Sequence, residues 1–245
     1  MPRVRLDKLL VDRGMAETRQ RAQSLIRSGV VLVGDVPKDK PGTQVRDDAA
    51  VRIKGNPLPY VSRGGLKLEA ALDAFNVDPK GRVAADLGAS TGGFTDCLLQ
   101  RGATTVYAID VGYGQLAWSL RNDDRVVVME RTNARHLESL PEPVSLLVGD
   151  LSFISLTKVL PAIMRLSNAE TDIVLLIKPQ FEVGRSALAK GGVVKNDAIR
   201  HAAIDSIVAA ATSAGARVHG VIDSPIKGAK KGNVEALIHC TVEKG

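Results

Sequence analysis

The sequence is poor in aromatic side chains: Phe, Trp and Tyr together make up 3% of its 245 residues, with a single Trp. So few rings argue against recognition by a broad stacking surface, and Trp118 and Phe153 read as packing residues. Cysteine is equally scarce. Cys97 and Cys240 give no disulfide framework, and with four histidines they show no metal-ligand spacing. No metal is therefore expected, and a reducing compartment, the cytoplasm, is. No apolar run approaches the ~18 residues of a membrane span. Runs such as DIVLLI have the length of a buried strand, and the opening MPRVRLDKLL lacks the apolar centre of a secretory signal. Neither a membrane partner nor a membrane-lysing role fits these features.

Positive charge is present, and it is unevenly placed. Of the net +6, five charges fall before Arg63, where twelve Lys/Arg face seven Asp/Glu. A basic segment on a near-neutral body suggests a polyanionic partner held by that segment. LDKLLVDRGM and ETRQRAQSLIRSG have helical apolar spacing and end at Gly14 and Gly29. VVLVGDVPKDKPG reads as a strand, a Gly-Asp turn and a basic loop, and Val51–Lys54 closes a small sheet. This order, with TRQRAQSLIRSGVVLV, resembles the RNA-binding module of ribosomal small-subunit protein four, shared with pseudouridine synthases and tyrosyl-tRNA synthetases. The resemblance implies that Arg3, Arg5, Arg19, Arg21 and Arg27 meet RNA phosphates. The module spans 1–55, and GNPLPYVS, with two prolines, reads as a linker over 56–62.

From residue 63 to 245 the pattern alternates. Strands are expected at Arg82–Asp86, Thr105–Asp110, Val126–Met129, Val144–Asp150, Ile173–Lys178, Arg217–Ile222 and Glu235–Val242. Helical patterns fall at 66–75, 93–101, 114–121, 155–166 and 197–214. Such alternation predicts an α/β domain with a doubly wound, mainly parallel sheet, whose ligands bind at the carboxyl ends of the strands.

The first of these strands runs into Gly88, Ala89, Ser90, Thr91, Gly92, Gly93 and Phe94, which open a helix. Glycines let backbone approach a ligand closely. The loop has neither the GxGxxG order of dinucleotide folds nor a Walker lysine. Asp110 ends the next strand, where a carboxylate can accept both ribose hydroxyls of a nucleoside. An S-adenosyl cofactor, which carries no phosphate, suits this loop better than NAD or ATP. An ordinary turn is the plainer alternative.

Four further charges stand where a site can form. Asp150 and Lys178 end strands, Glu235 begins the last one, and Lys67 starts the helix leading into the domain. If the last strand is antiparallel, all four share one sheet edge. Separate strand-end ion pairs are the alternative. DLGASTGGF, AIDVGYGQLAWSLRNDDRVVVMERTNAR, DLSFISL, KPQFE and GNVE, in that order after SRGGLKL, resemble the TlyA-type ribosomal RNA 2′-O-methyltransferases of the FtsJ-like group, some of which are labelled haemolysins. The resemblance implies a seven-stranded Rossmann-like methyltransferase sheet, S-adenosylmethionine as cofactor, and methylation of a cytidine ribose in ribosomal RNA. A chain of this length resembles the shorter form, which acts on the large subunit. Asn133 would lie near the adenine and Asp110 would hold the cofactor ribose. Lys67, Asp150, Lys178 and Glu235 match the Lys-Asp-Lys-Glu set, with Lys178 steering and deprotonating the hydroxyl. Which lysine is the base stays open on sequence. So does an RNA-binding ribosome-assembly factor with an inactive methyltransferase domain. KGAKKG, Lys227–Gly232, reads as a basic loop facing RNA backbone.

Overall fold

The computed structural model describes residues 3–16, 18–54, 58–228 and 232–243. The chain divides into two compact units, Met1–Val61 and Ser62–Gly245. Part of the expected linker and the centre of the Lys227–Gly232 loop lie outside the described residues.

In the first unit, helices span Leu6–Asp12 and Arg19–Arg27. Thr18 caps the second by accepting from the Arg21 N–H at 3.1 Å. Leu6, Leu9, Leu10, Ala22, Leu25 and Ile26 face one another in a small core with Val31 and Val45. Val31–Val33 pairs with Val51–Ile53, as the sequence predicts. It also pairs with Val36–Pro37, so the residues expected to start a loop turn back as a short strand. A further ribbon joins Arg3–Arg5 to Gln44–Arg46, too short to show in the sequence pattern.

The second unit is built on seven strands: β1 Val83–Leu87, β2 Thr105–Ile109, β3 Val126–Met129, β4 Leu146–Gly149, β5 Asp172–Ile177, β6 Ala216–Asp223 and β7 Ala236–Val242. Their spatial order is β6-β7-β5-β4-β1-β2-β3. β1 to β5 run parallel to one another, and β7 is antiparallel to both β5 and β6. All but the first residue of β5 are buried, as a strand covered on both faces requires. The helices are α1 Gly64–Phe75, α2 Gly93–Gln100, α3 Trp118–Arg121, α4 Leu160–Leu166, α5 Pro179–Glu182 and α6 Asp197–Ser213. Helix α3 is shorter than its apolar pattern: Gly114 takes a left-handed φ of 69°, and Ala117, at ψ 140°, is still non-helical. Helix α5, opened by Pro179, is too short to show as a helical pattern in the sequence.

The chain order reverses between β4 and β1, so the crevice at their carboxyl ends is where this topology places a ligand. The antiparallel β7 matters equally. Ala236 pairs with Ile177, which puts Glu235 and Lys178 next in line at the same edge.

Candidate active site

A cleft of about 260 Å³ opens at this edge, lined by Ser62, Arg63, Gly64, Lys67, Asp86, Gly88, Ala89, Ser90, Thr91, Gly93, Phe94, Asp150, Ser152, Lys178 and Ile226. Lys178 Nζ lies 2.5 Å from Asp150 Oδ1 and donates to Ser152 Oγ, also at 2.5 Å. The Asp150 contact is an ion pair without hydrogen-bond alignment, so Oδ1 has no hydrogen-bond donor among the described residues. Lys67 Nζ donates to Glu235 Oε2 at 2.5 Å. Lys67, Lys178 and Glu235 are all buried, and Glu235 is only 3% exposed. The four residues chosen from sequence thus form two ion pairs at one sheet edge, with three of the four lining the cleft. Gly228 gives Glu235 its room: a Cβ there would lie 2.6 Å from Glu235 Oε1.

Asp86, inside β1, is completely buried. Its Oδ2 accepts from the Thr95 N–H at 2.9 Å and the Thr95 hydroxyl at 2.7 Å, at the start of α2. Oδ1 has no partner among the described residues. Burial pushes the carboxyl up from 3.8 to about 7; Asp150 and Asp110 add to the rise, and the Thr95 hydrogen bonds oppose it. A proton that the folded chain holds between pH 4 and 7, and the unfolded chain releases, stabilises the fold at low pH. That stabilisation is complete below about 4 and is lost as pH rises through about 7. Wild type should therefore lose stability relative to Asp86→Asn across that window, measured by urea denaturation at stepped pH. A pH-independent difference would contradict the assignment.

The glycine loop is less uniform than its text suggests. Gly88 has φ +83°, and a Cβ there would lie 3.0 Å from the Asp150 carbonyl oxygen. At Gly93 a Cβ would lie 2.2 Å from Ser62 Oγ and 3.0 Å from the Gly65 nitrogen. Gly92 does not line the cleft. With φ +96°, its Cβ would fall 2.2 Å from Leu120 Cδ1 and 2.8 Å from Leu116 Cδ1. Backbone geometry and packing are thus reason enough for glycine at 92, beside the ligand role that the sequence suggests. Gly92→Ala should destabilise the fold by roughly 1–3 kcal/mol through overpacking, with ~1–2 kcal/mol more from the left-handed backbone. Denaturation midpoints check this. A wild-type midpoint with lost cofactor binding would return Gly92 to the ligand.

Asp110 follows β2 and accepts from the Ser90 N–H at 2.8 Å and the Gly112 N–H at 2.7 Å. It ties the loop end to β2 without lining the cleft itself, and each oxygen keeps a lone pair free. Asn133 is exposed and accepts from the Arg135 N–H at 3.1 Å, capping a single helical turn outside the cleft lining. In the first unit, Arg5 holds buried Asp7 with two bonds of 3.0 and 2.8 Å, and Arg19 reaches the same carboxylate at 3.1 Å. These contacts hold the Asp7 carboxyl well below its usual range. Arg21 donates to the Tyr60 carbonyl at 2.8 Å, while Arg3 and Arg27 are exposed.

Two aromatic expectations fail. Trp118 is 64% exposed and Phe153 85% exposed. Trp118 opens the four-residue α3, whose buried residue is Leu120. Phe153 sits at φ +66° beyond β4 with its ring 5.3 Å from that of Phe181. Cys240 and His239 are buried in β7 as expected, and burial pushes the Cys240 thiol up to about 12. Ser152 and Arg63 line the cleft but were not singled out, although both lie inside motifs already marked, DLSFISL and SRGGLKL.

Residues 60–241 match the family model described as FtsJ-like methyltransferase. The chain belongs to that family. Residues 4–51 match the S4 domain model, so this FtsJ-like chain carries an S4 domain in front. It is 50% identical over 239 residues to the 16S/23S rRNA (cytidine-2′-O)-methyltransferase TlyA of Mycobacterium tuberculosis, covering 96% of this chain and 89% of that one. It is 41% identical over 239 residues to Hemolysin A of Brachyspira hyodysenteriae, covering 96% and 99%. A solved structure described as "Putative hemolysin from Streptococcus thermophilus" superposes with a TM-score of 0.78 at 42% identity, covering 100% of this chain and 90% of that one. Among the described residues of the FtsJ-like chain, no helix is long and apolar enough to cross a membrane. No group of three or more His, Cys, Asp or Glu among them could hold a metal ion.

Proposed function

We propose that this chain methylates the 2′-oxygen of a cytidine ribose in ribosomal RNA, with S-adenosylmethionine as donor. The observation that carries the reading is the pairing of Lys178 with Asp150 and of Lys67 with Glu235 at the edge where β1 and β4 form the cleft. The likeness to TlyA supports the substrate. The large subunit is the expected source of the target, met in the cytoplasm.

The donor's fit rests on the cleft's own chemistry. Asp86 Oδ1 is buried without a partner among the described residues, and the loop has no lysine to meet phosphates. A cationic, phosphate-free cofactor suits such a lining. Asp86, Gly88, Ala89, Ser90, Thr91, Gly93 and Phe94 would hold it, with Asp110 fixing the loop from behind and Asn133 reaching in from its turn. Bound there, it supplies a methyl group on a sulfonium centre.

The chain's task is then to place a weakly acidic hydroxyl in line and take up its proton. Lys178 Nζ is held by its ion pair with Asp150 and its hydrogen bond to Ser152. In its neutral form the amine turns its lone pair to the ribose hydroxyl, takes up that proton and becomes an ammonium as the oxygen takes the methyl group. Lys67 and Glu235 neutralise each other in the wall and hold the target nucleotide. In the S4 domain, Arg3, Arg5, Arg19, Arg21 and Arg27 supply affinity for phosphates, two of them braced by Asp7. Ribose-methylation mapping of ribosomal RNA from cells with and without this protein tests the assignment. Loss of a single methylated cytidine supports it, and identical maps would defeat it.

A further inference from the structure

Two chain segments leave the sheet at the cleft, 150–156 after β4 and 178–182 after β5, and they are fastened at three successive points. Lys178 meets Asp150 and Ser152, each at 2.5 Å. The rings of Phe153 and Phe181 lie 5.3 Å apart. At the far end Glu182 accepts from the Ser155 hydroxyl at 2.6 Å and from the Leu156 N–H at 3.0 Å. Its carboxyl is part-buried, and desolvation raises it above its ordinary value. Between these points Phe153 sits at φ +66°, a left-handed conformation that strains a non-glycine residue and persists only where neighbouring contacts over-determine it.

We infer that Glu182 is a positioning residue for the methyl-transfer reaction: it clasps the 150–156 segment onto α5 so that Ser152 and Asp150 hold Lys178 Nζ in place. Glu182 does not line the cleft, so it touches neither donor nor acceptor. Its carboxylate accepts from an O–H and an N–H that the loop would otherwise offer to water, and its lever is the loop's register. Release of the clasp lets Phe153 relax from its left-handed φ. Ser152 then moves off Lys178, and the ammonium loses one of its two guides. Small displacements of a reacting group lower turnover steeply, by up to ~10²-fold for 1 Å.

This inference rests on the methyltransferase reading of the cleft. The test compares full-length wild type, Glu182→Ala, Glu182→Gln and Ser155→Ala, with S-adenosylmethionine and ribosomal subunits. Turnover, KM for the subunits, cofactor affinity by calorimetry and thermal midpoint are read for each. Glu182→Ala should lower kcat by roughly ten-fold or more, with KM and cofactor affinity within about two-fold of wild type. Glu182→Gln keeps an acceptor for Leu156 and a partner for Ser155, and should restore most of kcat. Ser155→Ala, losing one of the two bonds, should fall between them. It decides the matter if the Glu182→Ala protein does not fold. Wild-type kcat in Glu182→Ala or, where that protein is unfolded, in Ser155→Ala would overturn the inference. So would equal losses in the Gln and Ala variants. Wild type that transfers no methyl group would instead defeat the reading of the cleft itself, and the inference with it.

Discussion

Lys178→Ala is expected to reduce the rate of methyl transfer by ~10²–10⁴-fold, the range over which a positioned proton acceptor contributes. Affinity for S-adenosylmethionine should stay within about two-fold of wild type. The two effects separate because Lys178 faces Asp150 and Ser152, whereas the proposed donor site is the Asp86 and glycine-loop side of the cleft. Lys178→Arg should fail nearly as badly. A guanidinium keeps the positive charge beside Asp150, but its pKa above ~12 prevents it from accepting a proton. An active arginine variant would reduce Lys178 to a charge. An active alanine variant would remove it from the chemistry.

The second large effect is expected at the other ion pair, and it is divided between stability and activity. Lys67 and Glu235 have side chains only 10% and 3% exposed, joined at 2.5 Å. Deleting one partner strands a buried charge, which typically costs about 3–5 kcal/mol. In a unit of this size that corresponds to a fall of ~6–20 °C in melting temperature. Glu235→Ala should show this loss together with loss of activity. The double variant Lys67→Met with Glu235→Leu removes both charges and leaves apolar chains of similar volume, so most of the stability should return. Activity should not. Thermal denaturation beside methyl-transfer assays checks both arms. Recovery of activity with stability would make the pair a piece of scaffold; loss of both in the double variant would point to poor packing in the wall.

Much of this site could be read from residue type and position. Asp150 and Lys178 are charged residues placed directly after the apolar runs SLLVG and DIVLLI, and a charge so placed must lie at a strand end. Glu235 required one further fact, the antiparallel direction of β7, which no residue of GNVEALIHCTV states and which the pairing of Ala236 with Ile177 supplies. Gly92 illustrates a different limit. A glycine needed for φ +96° beside Leu120 and a glycine needed beside a ligand are written with the same letter. Phe153 and Trp118 show that a low aromatic content does not tell where each ring points. One stands on a left-handed backbone and the other opens a four-residue helix, features that residue type does not state. Glu182 escaped notice because a glutamate closing a short Pro-initiated helix looks like an ordinary surface charge. Only the fold brings Ser155 and Leu156 to it.

The central claim is that this cleft delivers a methyl group to a ribose oxygen. Its most direct measurement incubates full-length protein with isotopically labelled S-adenosylmethionine and unmodified ribosomal subunits, then digests the RNA to nucleosides for mass spectrometry. The account predicts label in 2′-O-methylcytidine with wild type and none above background with Lys178→Ala. Label in a base-methylated nucleoside, or equal 2′-O-methylcytidine from both proteins, would contradict it.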